Sequence, residues 1–136
     1  MIIVVDSDGF IGSLNPQDQH YKTSQQILSG LVKNHAELIY PATVIVETVT
    51  FLQGRLNQPE LANQVVQLVN NNQLTVEAVN DEVLQRASRF MNFGKSKHDT
   101  LFDAVVATIA EKYRADAIFS FDKFYKSKGF KLAIEL

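Results

Sequence analysis

Apolar residues in this chain fall into two alternating rhythms: short solid runs, and longer stretches carrying one apolar stripe. The solid runs read as buried strands. Met1-Ile2-Ile3-Val4-Val5 is closed by the turn-forming Asp6-Ser7-Asp8-Gly9, and Glu37-Leu38-Ile39-Tyr40 is ended by Pro41. Leu74-Thr75-Val76 follows a cluster of asparagines, and Ala117-Ile118-Phe119-Ser120-Phe121-Asp122 ends in an acid. Phe130 to Leu136 reads as a last, edge strand. The striped stretches read as helices. Phe10 to Leu14 gives one turn stopped by Asn15-Pro16, and residues 18–34 carry Tyr21, Ile27, Leu28, Leu31 and Val32 on one face. Another helix runs from Pro59 to about Asn71, and Asn80 caps one bearing Val83, Leu84, Ala87 and Phe90 that ends near Gly94.

Thr43-Val44-Ile45-Val46-Glu47-Thr48-Val49-Thr50 carries conflicting signals. Its β-branched side chains favour a strand. Its continuation through Phe51 and Leu52 to a stop at Gly54 favours a helix, and we read it as one. Thr100 followed by Asp103 is an N-cap with an acidic partner at the third helical position. Leu101, Val105, Thr108 and Ile109 then recur at helical spacing, and Ala104, Ala107 and Ala110 permit close packing. This helix is expected to be largely buried. Strands alternating with helices predict one α/β domain over residues 1–136, with a parallel sheet of about four to five short strands and helices on both faces.

Composition narrows the function classes. At 136 residues with 46% hydrophobic side chains, the chain can bury a full core, and disorder is not the default. The absence of cysteine excludes a disulfide framework and thiolate catalysis. The start lacks a basic leader and no apolar run reaches membrane-spanning length, so a cytoplasmic protein is expected. The net charge of −2 argues against a broadly basic nucleic-acid binder. The balance is uneven, however: residues 1–94 hold five Lys/Arg against nine Asp/Glu, and residues 95–136 hold eight against six. Within that basic part, Lys95, Lys97, Lys123 and Lys126 flank the acids Asp103 and Asp122 and are candidate phosphate contacts.

Asp6 and Asp122 each sit at the carboxyl end of an expected strand, the edge where ligands bind in open α/β sheets. Asp103 opens the helix that precedes the second of these strands. Glu47 has apolar neighbours on either reading of its segment and needs a cation, a proton or a route to solvent. Singly, each acid has an ordinary role: turn residue for Asp6 and Asp122, cap for Asp103, partner of Arg55 for Glu47. Together, four acids converging on one edge would repel strongly unless cations neutralised them. An all-oxygen donor set suits Mg²⁺ or Mn²⁺, and such a cluster can hold a two-metal site for in-line attack on a phosphodiester.

The segments Ile2-Ile3-Val4-Val5-Asp6, Tyr40-Pro41-Ala42-Thr43-Val44-Ile45-Val46-Glu47, Thr100-Leu101-Phe102-Asp103-Ala104 and Ile118-Phe119-Ser120-Phe121-Asp122-Lys123-Phe124 resemble, in order and spacing, the four acidic blocks of the PIN-domain nucleases. The resemblance covers essentially the whole chain and is nearest to the VapC-type toxins of toxin–antitoxin pairs. It implies a Mg²⁺- or Mn²⁺-dependent endoribonuclease, dimeric and held inactive by an antitoxin protein. Asp6, Glu47, Asp103 and Asp122 would be the catalytic and metal-site acids, with Ser120 as the hydroxyl residue two before the last. Asp8 stands where the family more often has Asn, Ser or Thr; it would either add an accessory carboxylate behind the metal-site acids or cap the following turn, and we read it as the cap. Asp99, one turn before Asp103, is a substitute-ligand candidate expected to be exposed, and His98, among lysines, reads as surface.

Two rival readings accompany this one. Val4-Val5-Asp6-Ser7-Asp8-Gly9 resembles the opening motif of haloacid-dehalogenase-like phosphatases, in which Asp6 would be the nucleophile and Asp8 the general acid. Phe10 departs from that motif, the later acidic pair is absent, and Glu47 would have no role. The other rival is a catalytically silent PIN-like module that acts through complex formation.

Overall fold

The computed structural model describes residues 1–94 and 99–136. Its elements run β1 (Ile2–Val5), α1 (Ser7–Leu14), α2 (Tyr21–Lys33), β2 (Glu37–Pro41), α3 (Ala42–Gln53), α4 (Pro59–Asn70) and β3 (Thr75–Glu77). Then come α5 (Asp81–Ala87), a 3₁₀ turn (Ser88–Phe90), α6 (Leu101–Tyr113), β4 (Ala117–Phe119), α7 (Phe124–Ser127) and a 3₁₀ turn (Ala133–Glu135). The four strands form one parallel sheet in the order β3-β2-β1-β4. Ile3, Val4 and Val5 are all buried although successive side chains of a strand point to opposite faces, so helices cover both faces of the sheet. The expected α/β architecture is present.

This strand order reverses direction at β1, which has β2 on one side and β4 on the other. A crevice opens at the carboxyl ends of strands flanking such a switch point. Asp6 follows β1 there, and Ser120 follows β4, with the Asp6 N–H donating to the Phe119 carbonyl at 3.1 Å.

The ambiguous segment is helical as α3. Val44, Thr48 and Leu52 are fully buried at four-residue spacing, and Val46 is exposed, so packing on the helical period overrides β-branched propensity. Asn80 caps α5 through Val83 N–H, and Thr100 and Asp103 form a reciprocal capping box on α6, whose residues Ala104 to Ala110 are buried.

The expected last strand, Phe130 to Leu136, is not formed. Leu132 makes one parallel bridge with Ile118, and its N–H donates to Glu135 Oε2 at 2.7 Å, which turns the backbone into a 3₁₀ turn. β4 also stops at Phe119 rather than reaching Asp122. Beyond it, backbone N–H groups turn to side chains: Phe121 N–H to Asp8 Oδ2 at 2.8 Å, and Asp122 N–H to Ser120 Oγ at 3.0 Å. In contrast, α1 is longer than expected because Asp6 caps it from its first residue, and α2 starts only at Tyr21 because Asp18 spends its carboxylate on the His20 N–H.

Candidate active site

Asp6 stands where β1 gives way to α1. Only 4% exposed, it accepts the Ser7 N–H on Oδ1 at 2.8 Å and the Ser120 hydroxyl on Oδ2 at 3.1 Å. Ser120 is itself buried, and its oxygen accepts from Asp122 N–H, so one hydroxyl ties the β1 acid to the loop bearing the β4 acid. Burial pushes the Asp6 carboxyl well above the usual range, and the nearby charges of Asp8 and Asp103 push it further.

Asp8 does not cap the turn as expected. That position belongs to Asp6, and Asp8 lies in the first turn of α1, where Oδ1 accepts the Gly9 N–H at 2.7 Å and Oδ2 accepts Phe121 N–H. It therefore clamps α1 to the loop after β4. Burial raises its carboxyl against those hydrogen bonds, with a contribution from Asp122.

Glu47, on α3, is half-buried; burial raises its carboxyl, followed by the charges of Asp103 and Asp8, with Ser7 acting in the opposite direction. Arg55 does not pair with it, lying instead 5.7 Å from the Phe51 ring centroid. Asp103 is half-buried at the start of α6, with Oδ2 accepting the Thr100 hydroxyl at 3.1 Å. Burial raises it too, followed by the charges of Asp122 and Asp8. Asp122 is exposed, with Oδ1 accepting Phe124 N–H at 2.9 Å to start α7.

The structure thus brings Asp6, Asp8, Glu47, Asp103 and Asp122 within electrostatic reach of one another. Among the described residues no lysine or arginine forms an ion pair with any of them. Clustered carboxylates with no protein cation are a donor set for hard divalent ions, and burial raises the proton affinity of Asp6, Asp8, Glu47 and Asp103. Among the described residues, no three His, Cys, Asp or Glu side chains stand close enough to hold a metal ion as they are, so cation binding would draw these acids together.

Sequence reasoning missed Tyr125. It is fully buried, and its hydroxyl lies 3.5 Å from Asp103 Oδ1 and lowers the Asp6 carboxyl against the effect of burial. Burial, then the charges of Asp6 and Asp103, push its phenol well above its ordinary value, which keeps it a proton donor to the cluster. Its only signal in the sequence is its position three residues after Asp122.

The remaining candidates lie around this centre. Asp99 is half-buried rather than exposed. Lys123 is exposed beside Asp122, whereas Lys126 is engaged with Glu135 at 2.8 Å. Lys95, Lys97 and His98 lie outside the described residues. Among the described residues no helix is long and apolar enough to cross a membrane.

Comparison with known proteins agrees with this fold. The PIN domain family model matches residues 3–131. The fold is similar to Mycobacterium tuberculosis VapC20, a sarcin-ricin loop cleaving toxin, with a TM-score of 0.82 and 18% identity over 94% of this chain and 95% of that one. It is also similar to Rickettsia felis VapBC2, solved bound to a DNA fragment from its promoter, with a TM-score of 0.65 and 12% identity over 97% of each chain. No curated protein sequence matches the chain.

Proposed function

This chain belongs to the PIN-domain family, and on that premise we propose that it is a Mg²⁺- or Mn²⁺-dependent endoribonuclease, the toxin of a toxin–antitoxin pair. The observation that carries the reading is the cluster of Asp6, Asp8, Glu47 and Asp103, whose proton affinities burial raises, with Asp122 beside them, none pairing with a cation among the described residues. Likeness of fold to VapC20, described as cleaving the sarcin-ricin loop, supports RNA as the substrate class. The VapBC2 structure supports an antitoxin partner. A homodimer acting in the cytoplasm completes the proposal.

Asp6, Glu47, Asp103 and Asp122 are the residues that would hold the cations. When bound, a pair of divalent ions supplies charge to neutralise these acids, to polarise a phosphoryl oxygen and to lower the pKa of an attacking water. The protein's own task is to fix the acids before substrate arrives. The Ser7 N–H and the Ser120 hydroxyl orient the Asp6 carboxylate, and Thr100 orients Asp103. The Tyr125 hydroxyl donates its one proton to Asp103 Oδ1 from the buried side. Asp8 keeps α1 and the 120–122 loop at fixed spacing. The exposed Lys123, together with Lys95, Lys97 and Lys126, would meet phosphates.

A phosphatase would leave Glu47 without a role, yet Glu47 stands half-buried within reach of the charges of Asp8 and Asp103. The test compares Glu47→Gln with wild type on single-stranded RNA and on a small phosphoester, in Mn²⁺. The nuclease reading expects RNA cleavage by wild type and its near-abolition in Glu47→Gln, because acids of one cation site act as a unit. Full activity in Glu47→Gln would overturn it.

A further inference from the structure

A cavity of about 250 Å³ opens between α1 and α3, lined by Ser7, Asp8, Ile11, Asp18, Glu47 and Phe51. Its two ends differ in chemistry. Ser7, Asp8 and Glu47 form the end continuous with the acid cluster. One helical turn further along, Ile11 on α1 and Phe51 on α3 supply an apolar wall. Phe51 is only partly buried, so aromatic surface remains for a guest. At the rim, the exposed Arg55 guanidinium lies 5.7 Å from the Phe51 ring centroid and puts a cation beside an otherwise acidic mouth. None of Ile11, Asp18, Phe51 or Arg55 is needed to assemble the acid cluster.

Resting on the ribonuclease reading, we propose that this cavity is a nucleobase subsite, which seats a guanine flanking the scissile phosphate by stacking on Phe51 and by hydrogen bonding to Asp18. Single-stranded RNA is read by splaying out a base, stacking it on an aromatic ring and bonding its edge. The cavity meets the first two requirements through its continuity with Asp8 and Glu47 and through Phe51. Asp18 sets the third. Its Oδ1 accepts the His20 N–H at 2.8 Å, and among the described residues Oδ2 accepts no hydrogen bond from the protein. An ionised carboxylate only accepts. Guanine presents two neighbouring N–H groups, at N1 and N2, on its Watson–Crick edge. Uracil presents one N–H, and adenine and cytosine each present an amino group beside an acceptor that would face the carboxylate. Arg55 then stands where the phosphate of the adjoining nucleotide passes.

The experiment uses short uridine-run RNAs carrying a single guanine, adenine or cytosine, with binding read by fluorescence anisotropy in EDTA and cleavage read in Mn²⁺. Wild-type protein is expected to bind the guanine RNA most tightly and to cut beside the guanine. Asp18→Asn should lose about 10- to 150-fold of that preference, the range of a hydrogen bond to a charged group. Phe51→Ala should weaken binding of the guanine RNA about 5- to 150-fold, the range of one base stacked on an aromatic. Phe51→Leu keeps the apolar bulk and shows the same loss even if the alanine variant fails to fold, and Phe51→Tyr restores affinity. Equal binding of all the RNAs by wild type, or a preference untouched by Asp18→Asn and Phe51→Leu, overturns the subsite even where cleavage is normal. Guanine-selective binding that depends on these residues, without cleavage of any RNA, supports the subsite and overturns the nuclease.

Discussion

Gly9 offers a perturbation whose magnitude follows directly from the geometry. A Cβ at this position would lie 2.2 Å from the Phe119 carbonyl oxygen, 2.8 Å from its Cδ2 and 2.9 Å from its carbonyl carbon. Two of these atoms are backbone, held in the β1–β4 pairing, and cannot rotate away. Restoring ordinary van der Waals separation requires α1 and β4 to move apart by roughly 1 Å. That movement stretches the bonds from Phe121 N–H to Asp8 and from Ser120 to Asp6, now 2.8 and 3.1 Å. Overpacking of this kind costs about 1–3 kcal/mol. For a domain of this length the cost corresponds to a fall in Tm of about 4–10 °C. Misplacement of about 1 Å at a catalytic centre lowers activity by about 100-fold. Gly9→Ala should therefore melt earlier by that amount in calorimetry and lose RNA cleavage out of proportion to its stability. Gly30→Ala is the control, since a Cβ there meets nothing within 4 Å, and it should gain about 0.5–1 kcal/mol from helix propensity. Gly9→Ala with wild-type Tm and wild-type cleavage would refute the claim that the α1–β4 approach sets the spacing of the acids.

Two further outcomes follow from charge. Burial and mutual repulsion raise the Asp6, Asp8, Glu47 and Asp103 carboxyls, so the folded protein holds protons that the unfolded chain has already released. In EDTA, stability should fall as pH rises above the ordinary carboxylate range and level off above the raised values, and Mn²⁺ should offset the fall. A cation-free Tm that rises from about pH 5 to pH 7 would contradict the electrostatics described. Neutralising Lys95, Lys97, Lys123 and Lys126 together should weaken RNA binding and flatten its salt dependence, measured by anisotropy across salt, by about 0.7 in log–log slope for each phosphate no longer neutralised. An unchanged slope would place the RNA path elsewhere.

Much of the arrangement is legible in the sequence where local chemistry and tertiary structure agree. Asp6 ends a solid apolar run and Thr100-Asp103 is a capping box, so strand end and helix start can be placed from the sequence alone. The segment around Glu47 is harder, because β-branching and length conflict, and the burial of Val44, Thr48 and Leu52 decides for the helix. Asp8 reads wrongly as a local cap because its partner, Phe121 N–H, is remote in sequence. Tyr125 is invisible for the same reason: its hydroxyl reaches Asp6 and Asp103 only after α7 packs into place. The end of the chain reads as a strand by pattern, yet a single glutamate, Glu135, captures the Leu132 N–H that a ladder would need.

The central claim, that these carboxylates hold divalent cations to hydrolyse RNA, is tested most directly by following cleavage of single-stranded RNA against Mn²⁺ concentration, with wild type and Asp103→Asn in parallel. Cleavage should be absent in EDTA, rise to saturation with Mn²⁺ in wild type, and be nearly abolished at every concentration in Asp103→Asn. Wild-type cleavage undiminished in EDTA, or an Asp103→Asn protein as active as wild type, would contradict it.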